Sequence, residues 1–73
     1  MSRKPPVISG HQLVRALLQG GWRFVRQKGS HVRLQRGYRH VSVPLHETLK
    51  RGTLAGILKD AGMTVDELRR LLS

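Results

Sequence analysis

The apolar positions of this chain first recur with the period of a helix and then, after Trp22, with the period of a strand. The helical positions are Leu13, Val14, Leu17 and Leu18. Ser9 can cap this helix and Gln12 can complete a capping box, while Gly20-Gly21 follows as a helix stop. The pattern therefore predicts a first helix over Gly10–Gln19.

Strict alternation of apolar and polar residues then predicts a three-stranded meander. The alternating apolar positions are Val25, Val32, Leu34, Val41 and Val43. Two-residue turns at Gly29-Ser30 and Gly37-Tyr38 place Lys28 opposite His31 and Val25 opposite Leu34. In that register all five apolar residues share one face of the sheet. The opposite, open face then receives Phe24, Arg26, Lys28, His31, Arg33, Gln35, His40 and Ser42.

Two helices are predicted after the third strand, which Pro44 ends. Thr53 can cap the first of them, and Gly62 stops it. Thr64 and Glu67 form a second capping box, which predicts a short final helix. The order is α-β-β-β-α(-α), an α+β class with a three-stranded antiparallel sheet and its helices packed on one face.

The length and composition allow one domain. The 73 residues suffice for a small core, so we expect a single domain over residues 1–73, with residues 1–7 as a flexible N-terminal extension. The absence of cysteine fits a reducing cytosol and a cytoplasmic protein. We expect neither a signal peptide nor a membrane span, because no apolar run is long enough.

Charge is the feature that narrows the function. The chain has 14 Lys and Arg against 4 Asp and Glu, a net charge of +10, and its first carboxylate is Glu47. The partner should therefore be a polyanion, or an acidic protein surface that imitates one. A basic membrane-surface helix is disfavoured because the cations alternate along strands. A DNA-binding regulator is also disfavoured, since no second helix of a helix-turn-helix is basic.

Metal and cofactor chemistry find little support in the sequence. The four histidines, His11, His31, His40 and His46, lack the close spacing of a metal site, and no carboxylate precedes Glu47. The glycines punctuate helices and turns and form no nucleotide-binding signature. We therefore expect no metal and no cofactor.

Histidine remains as the group that could do chemistry on RNA. Cleavage through the substrate's own 2′-OH needs a proton acceptor, a proton donor and cations near the phosphate. His31 could accept the proton of the 2′-OH or donate one to the leaving 5′-oxygen. Lys28 lies opposite it in the predicted register, and the Arg26–Arg33 pair lies beside them. The alternative is a solvated histidine next to a turn, in which case the chain is a non-catalytic RNA-binding module. His46 is a candidate second proton donor, or merely a loop residue.

The candidate RNA-binding residues surround His31. Phe24 could stack a base from the open face, although packing against arginine stems would also explain it. The set comprises Phe24, Arg26, Lys28, Ser30 and Arg33.

Taken together, the motifs resemble the HicA toxin (YcfA-like) family. The resembling segments are Gly20-Gly21-Trp22, Arg26-Gln27-Lys28-Gly29-Ser30-His31, Val43-Pro44-Leu45-His46, Lys50-Arg51-Gly52-Thr53-Leu54 and Ile57-Leu58-Lys59-Asp60-Ala61-Gly62. The resemblance implies a fold like the double-stranded-RNA-binding domain, ribosome-independent cleavage of mRNA, and a cognate HicB-like antitoxin that covers the active site. It also implies that His31 is the catalytic histidine.

Overall fold

The helices and strands follow one another in the order that the apolar pattern predicts. A computed structural model describes residues 4–73, and residues 1–3 of the expected N-terminal extension lie outside this range. The elements are α1 (Gly10–Gln19), β1 (Arg23–Lys28), β2 (His31–Arg36), β3 (Arg39–Pro44), α2 (Arg51–Ala61) and α3 (Val65–Leu72). The predicted α+β class and its element order are confirmed.

Two of the three helices begin at the caps that the sequence predicts. At α1, the Gln12 backbone N–H donates to Ser9 Oγ at 3.1 Å, and the Ser9 N–H donates to Gln12 Oε1 at 2.9 Å. Thr64 and Glu67 form the equivalent capping box at α3. These reciprocal bonds satisfy backbone donors that the first helical turn leaves unpaired.

The start of α2 differs from the prediction. Thr53 does not cap this helix, which begins at Arg51 with Lys50 as a cap that makes no side-chain hydrogen bond. The cause lies one residue earlier, where Leu49 is buried and its N–H donates to the Ile8 carbonyl at 2.8 Å. Because Leu49 is tied to the core, the chain turns into the helix immediately after it.

The sheet is antiparallel with strand order β1-β2-β3. The predicted pairs between β2 and β3, such as Val32 with Val43, are confirmed, and so is Lys28 opposite His31. Both hairpins close through two residues, and Gly29 in the first turn has a φ of 59°. A left-handed conformation there favours glycine, so the turn that leads into His31 depends on this residue.

A β-bulge interrupts β1 between Phe24 and Arg26 and overturns part of the predicted register. Phe24, not Val25, lies opposite Leu34, and Val25 is the extra residue of the bulge. The prediction that Val25 faces the core is therefore wrong, and 42% of its surface remains exposed. Phe24 consequently moves from the expected open face to the face that carries the helices.

The core lies between the helices and one face of the sheet, as predicted. Its strand contribution is Val32, Leu34, Val41 and Val43, and its fully buried helical leucines include Leu13, Leu17, Leu54 and Leu68. Lys4 is tied to this body, because the Arg69 guanidinium donates to the Lys4 carbonyl. Across residues 4–73, no helix is long and apolar enough to cross a membrane.

Candidate nucleic-acid interface

The open face of the sheet carries polar residues in rows that run across the strands. The row nearest the first turn is Lys28, His31 and Pro44, and the next is Arg26, Arg33 and Ser42. Successive rows on one face lie about 7 Å apart, because side chains alternate between faces along each strand. The first two rows therefore concentrate three cations around His31.

The hairpin end that presents His31 is held by backbone contacts on both sides. The Leu45 N–H donates to the Ser30 carbonyl at 2.7 Å, which ties the turn to the segment after β3. Gln27 Nε2 donates to the Gly29 carbonyl at 3.0 Å, which braces the turn from β1. His31 is thus an exposed side chain on a fixed stretch of backbone.

A shallow cavity of about 160 Å³ opens between these side chains. Its lining residues are Arg26, Lys28, His31, Arg33 and Ser42. We call this set the cation face. None of the described residues that line it is acidic. Its Arg and Lys side chains provide hydrogen-bond donors for a phosphate, and the exposed imidazole of His31 lies beside them.

Four of the seven predicted site residues line the cation face, and the other three, Ser30, His46 and Phe24, do not. Arg26, Lys28, His31 and Arg33 line the cation face. Ser30, although adjacent to His31, does not line the cavity, and its carbonyl is engaged by Leu45. His46 is exposed in the segment after β3, and its carbonyl accepts a hydrogen bond from the Gly10 N–H at 2.9 Å.

Phe24 lies elsewhere than expected. It was expected on the open face, but the bulge turns it toward α1, where 50% of its surface is exposed. There it lines a second cavity of about 430 Å³, which we call the α1–β1 groove. The groove is lined by His11, Gln12, Val14, Arg15, Phe24, Gln27, Val32 and Leu45.

Two features of this surface were not assigned from the sequence. The alternation predicts Ser42 on the open face, and this is the signal that could have identified it; in the structure it lies opposite Arg33 and lines the cation face. The α1–β1 groove depends on the bulge, which the alternation pattern does not reveal. Within residues 4–73, no three His, Asp or Glu side chains are grouped so that they could hold a metal ion.

The cation face is a positively charged sheet surface on a small, strongly basic α+β domain. Residues 10–63 match the family described as the HicA toxin of bacterial toxin-antitoxin. Because this match covers most of the chain, the protein belongs to the HicA toxin family, which gives it the toxin role in a toxin-antitoxin system and an antitoxin as its partner. The comparison with curated proteins gives no match.

Proposed function

We propose that this toxin is a metal-independent endoribonuclease that cleaves mRNA, with His31 as its general acid/base. The observation that carries the proposal is the cation face, where one exposed histidine shares a cavity with Arg26, Lys28 and Arg33. Membership of a toxin family supports an activity that harms the cell, and cutting mRNA fits both a basic surface and that role.

The reaction needs the 2′-OH of the substrate, the groups of the cation face and a proton donor for the leaving oxygen. The 2′-oxygen of the RNA attacks the adjacent phosphorus and loses its proton to neutral His31, while the bond from phosphorus to the 5′-oxygen breaks. The leaving 5′-oxygen takes up a proton, so the products are a 2′,3′-cyclic phosphate and a 5′-hydroxyl. Water can then open the cyclic phosphate to a 3′-phosphate. An imidazole suits these transfers because its unprotonated ring nitrogen accepts a proton and its protonated form donates one.

The cations supply the electrostatic part of the mechanism. Arg26 and Arg33 face each other in the row beside Lys28 and His31, so the phosphate can be held from two sides. Cations beside the reacting phosphate stabilise the negative charge that develops on the phosphoryl oxygens in the transition state. Ser42 can donate a hydroxyl hydrogen bond to the same phosphate.

The proton for the leaving oxygen comes from a second group or from water. His46 is the candidate from the chain, because it follows Pro44, the β3 residue opposite His31, by two positions. Its backbone is fixed by the Gly10 contact, while its side chain is exposed. Ser30, next to His31 in the turn, is proposed to contact RNA through its hydroxyl.

A second candidate function is RNA binding without cleavage. The cation face favours it on its own, because phosphate contacts by Arg and Lys suffice for sequence-independent affinity. The two functions differ in whether the products of transesterification are formed.

We expect the purified protein to cleave mRNA fully in the presence of EDTA and to leave 2′,3′-cyclic phosphate or 3′-phosphate ends. The reason is that the 2′-OH supplies the nucleophile and His31 the proton transfer. End-group analysis of a labelled transcript measures both points. Activity that EDTA removes and a divalent ion restores would contradict the mechanism, and RNA binding without fragments would support the second candidate.

We further propose that a HicB-like antitoxin inhibits by covering the cation face with carboxylates. The same cations would otherwise hold phosphate, so antitoxin and RNA should exclude each other. The net charge of +10 favours an acidic partner surface, because carboxylates opposite this face attract its cations and reduce the charge exposed to solvent.

We expect added antitoxin to displace bound RNA from the His31→Ala protein, which is expected to cut its ligand at least about 100-fold more slowly than the wild type. The measurement is fluorescence anisotropy of a labelled RNA titrated with antitoxin, with an unrelated acidic protein of similar net charge as the control. A stable ternary complex that retains RNA would show that the antitoxin acts at another surface.

A further inference from the structure

We infer that the α1–β1 groove binds an RNA base next to the phosphate held on the cation face. The inference rests on the proposed function, since it names a second part of the same RNA-binding site. The groove has about 430 Å³ of space, which is within the usual range for a small-molecule site and ample for one base.

Residues of β1 line both the cation face and the α1–β1 groove, and the bulge places Phe24 on the groove side. Arg26 lies opposite Arg33 on the open face, whereas Phe24 lies opposite the buried Leu34 and Gln27 opposite the buried Val32. Because β1 is a terminal strand of the sheet, only its own width separates the cation face from the α1–β1 groove. A nucleotide whose phosphate contacts Arg26 or Lys28 can therefore pass its base over this edge into the groove.

The groove has the chemistry of a base-binding site. Its apolar floor includes Val14, Val32 and Leu45, and the half-exposed Phe24 ring offers a surface for stacking. Stacking on an aromatic side chain is how single-stranded RNA bases are commonly held.

The rim of the groove carries oriented hydrogen-bonding groups. Gln27 is held by its Nε2 bond to the Gly29 carbonyl, and Gln12 is held because its Oε1 accepts from the Ser9 N–H. The carbonyl half of Gln27 and the amino half of Gln12 are therefore available in a defined orientation for the edge of a base.

The charge of the groove favours RNA over a protein side chain as its occupant. His11 and Arg15 lie on the α1 side, and Arg26 and Lys28 on the other side of β1. Among the described residues that line the groove, none carries a carboxylate. A nucleotide matches this arrangement because its base is flat and largely apolar on its faces, and its phosphate is anionic.

The test combines base removal with variants of Phe24. The substrate is a short RNA with one cleavage site, prepared as a series in which a single ribose at each flanking position lacks its base. The 2′-OH is retained, and the bond that is cut reports the register of the RNA on the protein. The quantity measured is kcat/KM for cleavage of that bond by the wild type, Phe24→Ala and Phe24→Tyr.

We expect base removal at one position next to the cleaved bond to lower kcat/KM by roughly tenfold, in line with the stacking contribution of a single base. Phe24→Ala should cause a similar loss on the intact RNA and no further loss on that abasic RNA. Phe24→Tyr should retain the wild-type pattern. Val25→Ala is the matched control, because Val25 is a similarly exposed neighbour that does not line the groove.

The possible outcomes separate this inference from the proposed function. Cleavage that is equally insensitive to every abasic position and to Phe24→Ala overturns the base site and leaves the nuclease proposal standing. If Phe24→Ala lowers kcat/KM by the same factor on the abasic RNA as on the intact RNA, the two changes act independently and the base site is overturned. An effect of Phe24→Ala on antitoxin affinity alone also overturns it. Failure of the wild type to cleave any RNA overturns the proposed function itself, together with the inference that depends on it.

Discussion

Replacement of His31 by alanine is expected to lower the rate of RNA cleavage by roughly 10²- to 10⁴-fold, the usual contribution of a general acid/base. The loss should be confined to chemistry. His31 is exposed and packs against nothing in the core, so RNA affinity and the melting temperature should change little. Initial cleavage rates, anisotropy of bound RNA and thermal unfolding measured on one preparation separate the three quantities.

His40→Ala is the matched control for this prediction. His40 is also an exposed histidine on the open face, but it lies opposite Gln35, two rows from His31. It is therefore too distant to contact the same phosphate, and its removal should leave cleavage close to the wild-type rate. Unchanged cleavage by His31→Ala would contradict the assignment, and loss of cleavage in His46→Ala at the same time would transfer the role to His46.

The surroundings of His31 could be predicted because short-range signals determine them. A glycine-first turn fixes which residues face each other at the hairpin end, and Lys28 opposite His31 follows from that alone. The two predicted turns also give the Arg26–Arg33 pair and the whole register between β2 and β3. Each step depends on residues close in sequence, so no knowledge of packing was needed.

The bulge could not be predicted, because the sequence permits both phases of β1. Phe24 and Val25 are adjacent and both apolar, so Val25 can face the core in a regular strand and Phe24 can face it if a bulge follows. The choice depends on how α1 packs over the sheet, which is a tertiary effect. One displaced residue moved Phe24 to the other face, and the α1–β1 groove was missed for that reason.

The predicted start of α2 was wrong because it, too, depends on a contact between distant parts of the chain. Thr53 is a good cap by residue type, and the local sequence contains nothing that excludes it. The hydrogen bond from the Leu49 N–H to the Ile8 carbonyl joins residues far apart in the chain. The helix begins two residues after Leu49, at Arg51, and so before Thr53.

Gly10→Ala is expected to reduce the free energy of unfolding by about 3 kcal/mol or more, at the upper end of the cost of overpacking. A Cβ atom on Gly10 would lie 2.0 Å from the Pro44 carbonyl oxygen and 2.8 Å from Leu45 Cα. Both are backbone atoms, so no side-chain rotation can relieve the clash. The same displacement would break the Gly10–His46 hydrogen bond that joins the start of α1 to the segment after β3. Urea or thermal unfolding measures the loss.

Gly56→Ala is the control that makes this prediction specific to close packing. Gly56 lies in the interior of α2, it is exposed, and a Cβ atom there would meet nothing within 4 Å. Alanine should stabilise the protein at this position by about 0.5–1 kcal/mol, because it restricts the unfolded chain and favours the helix. The same substitution in two helices should therefore have opposite signs. A Gly10→Ala protein as stable as the wild type would show that α1 can move away from the end of β3, and would contradict the rigid placement of α1 beside the strand end that lies opposite His31.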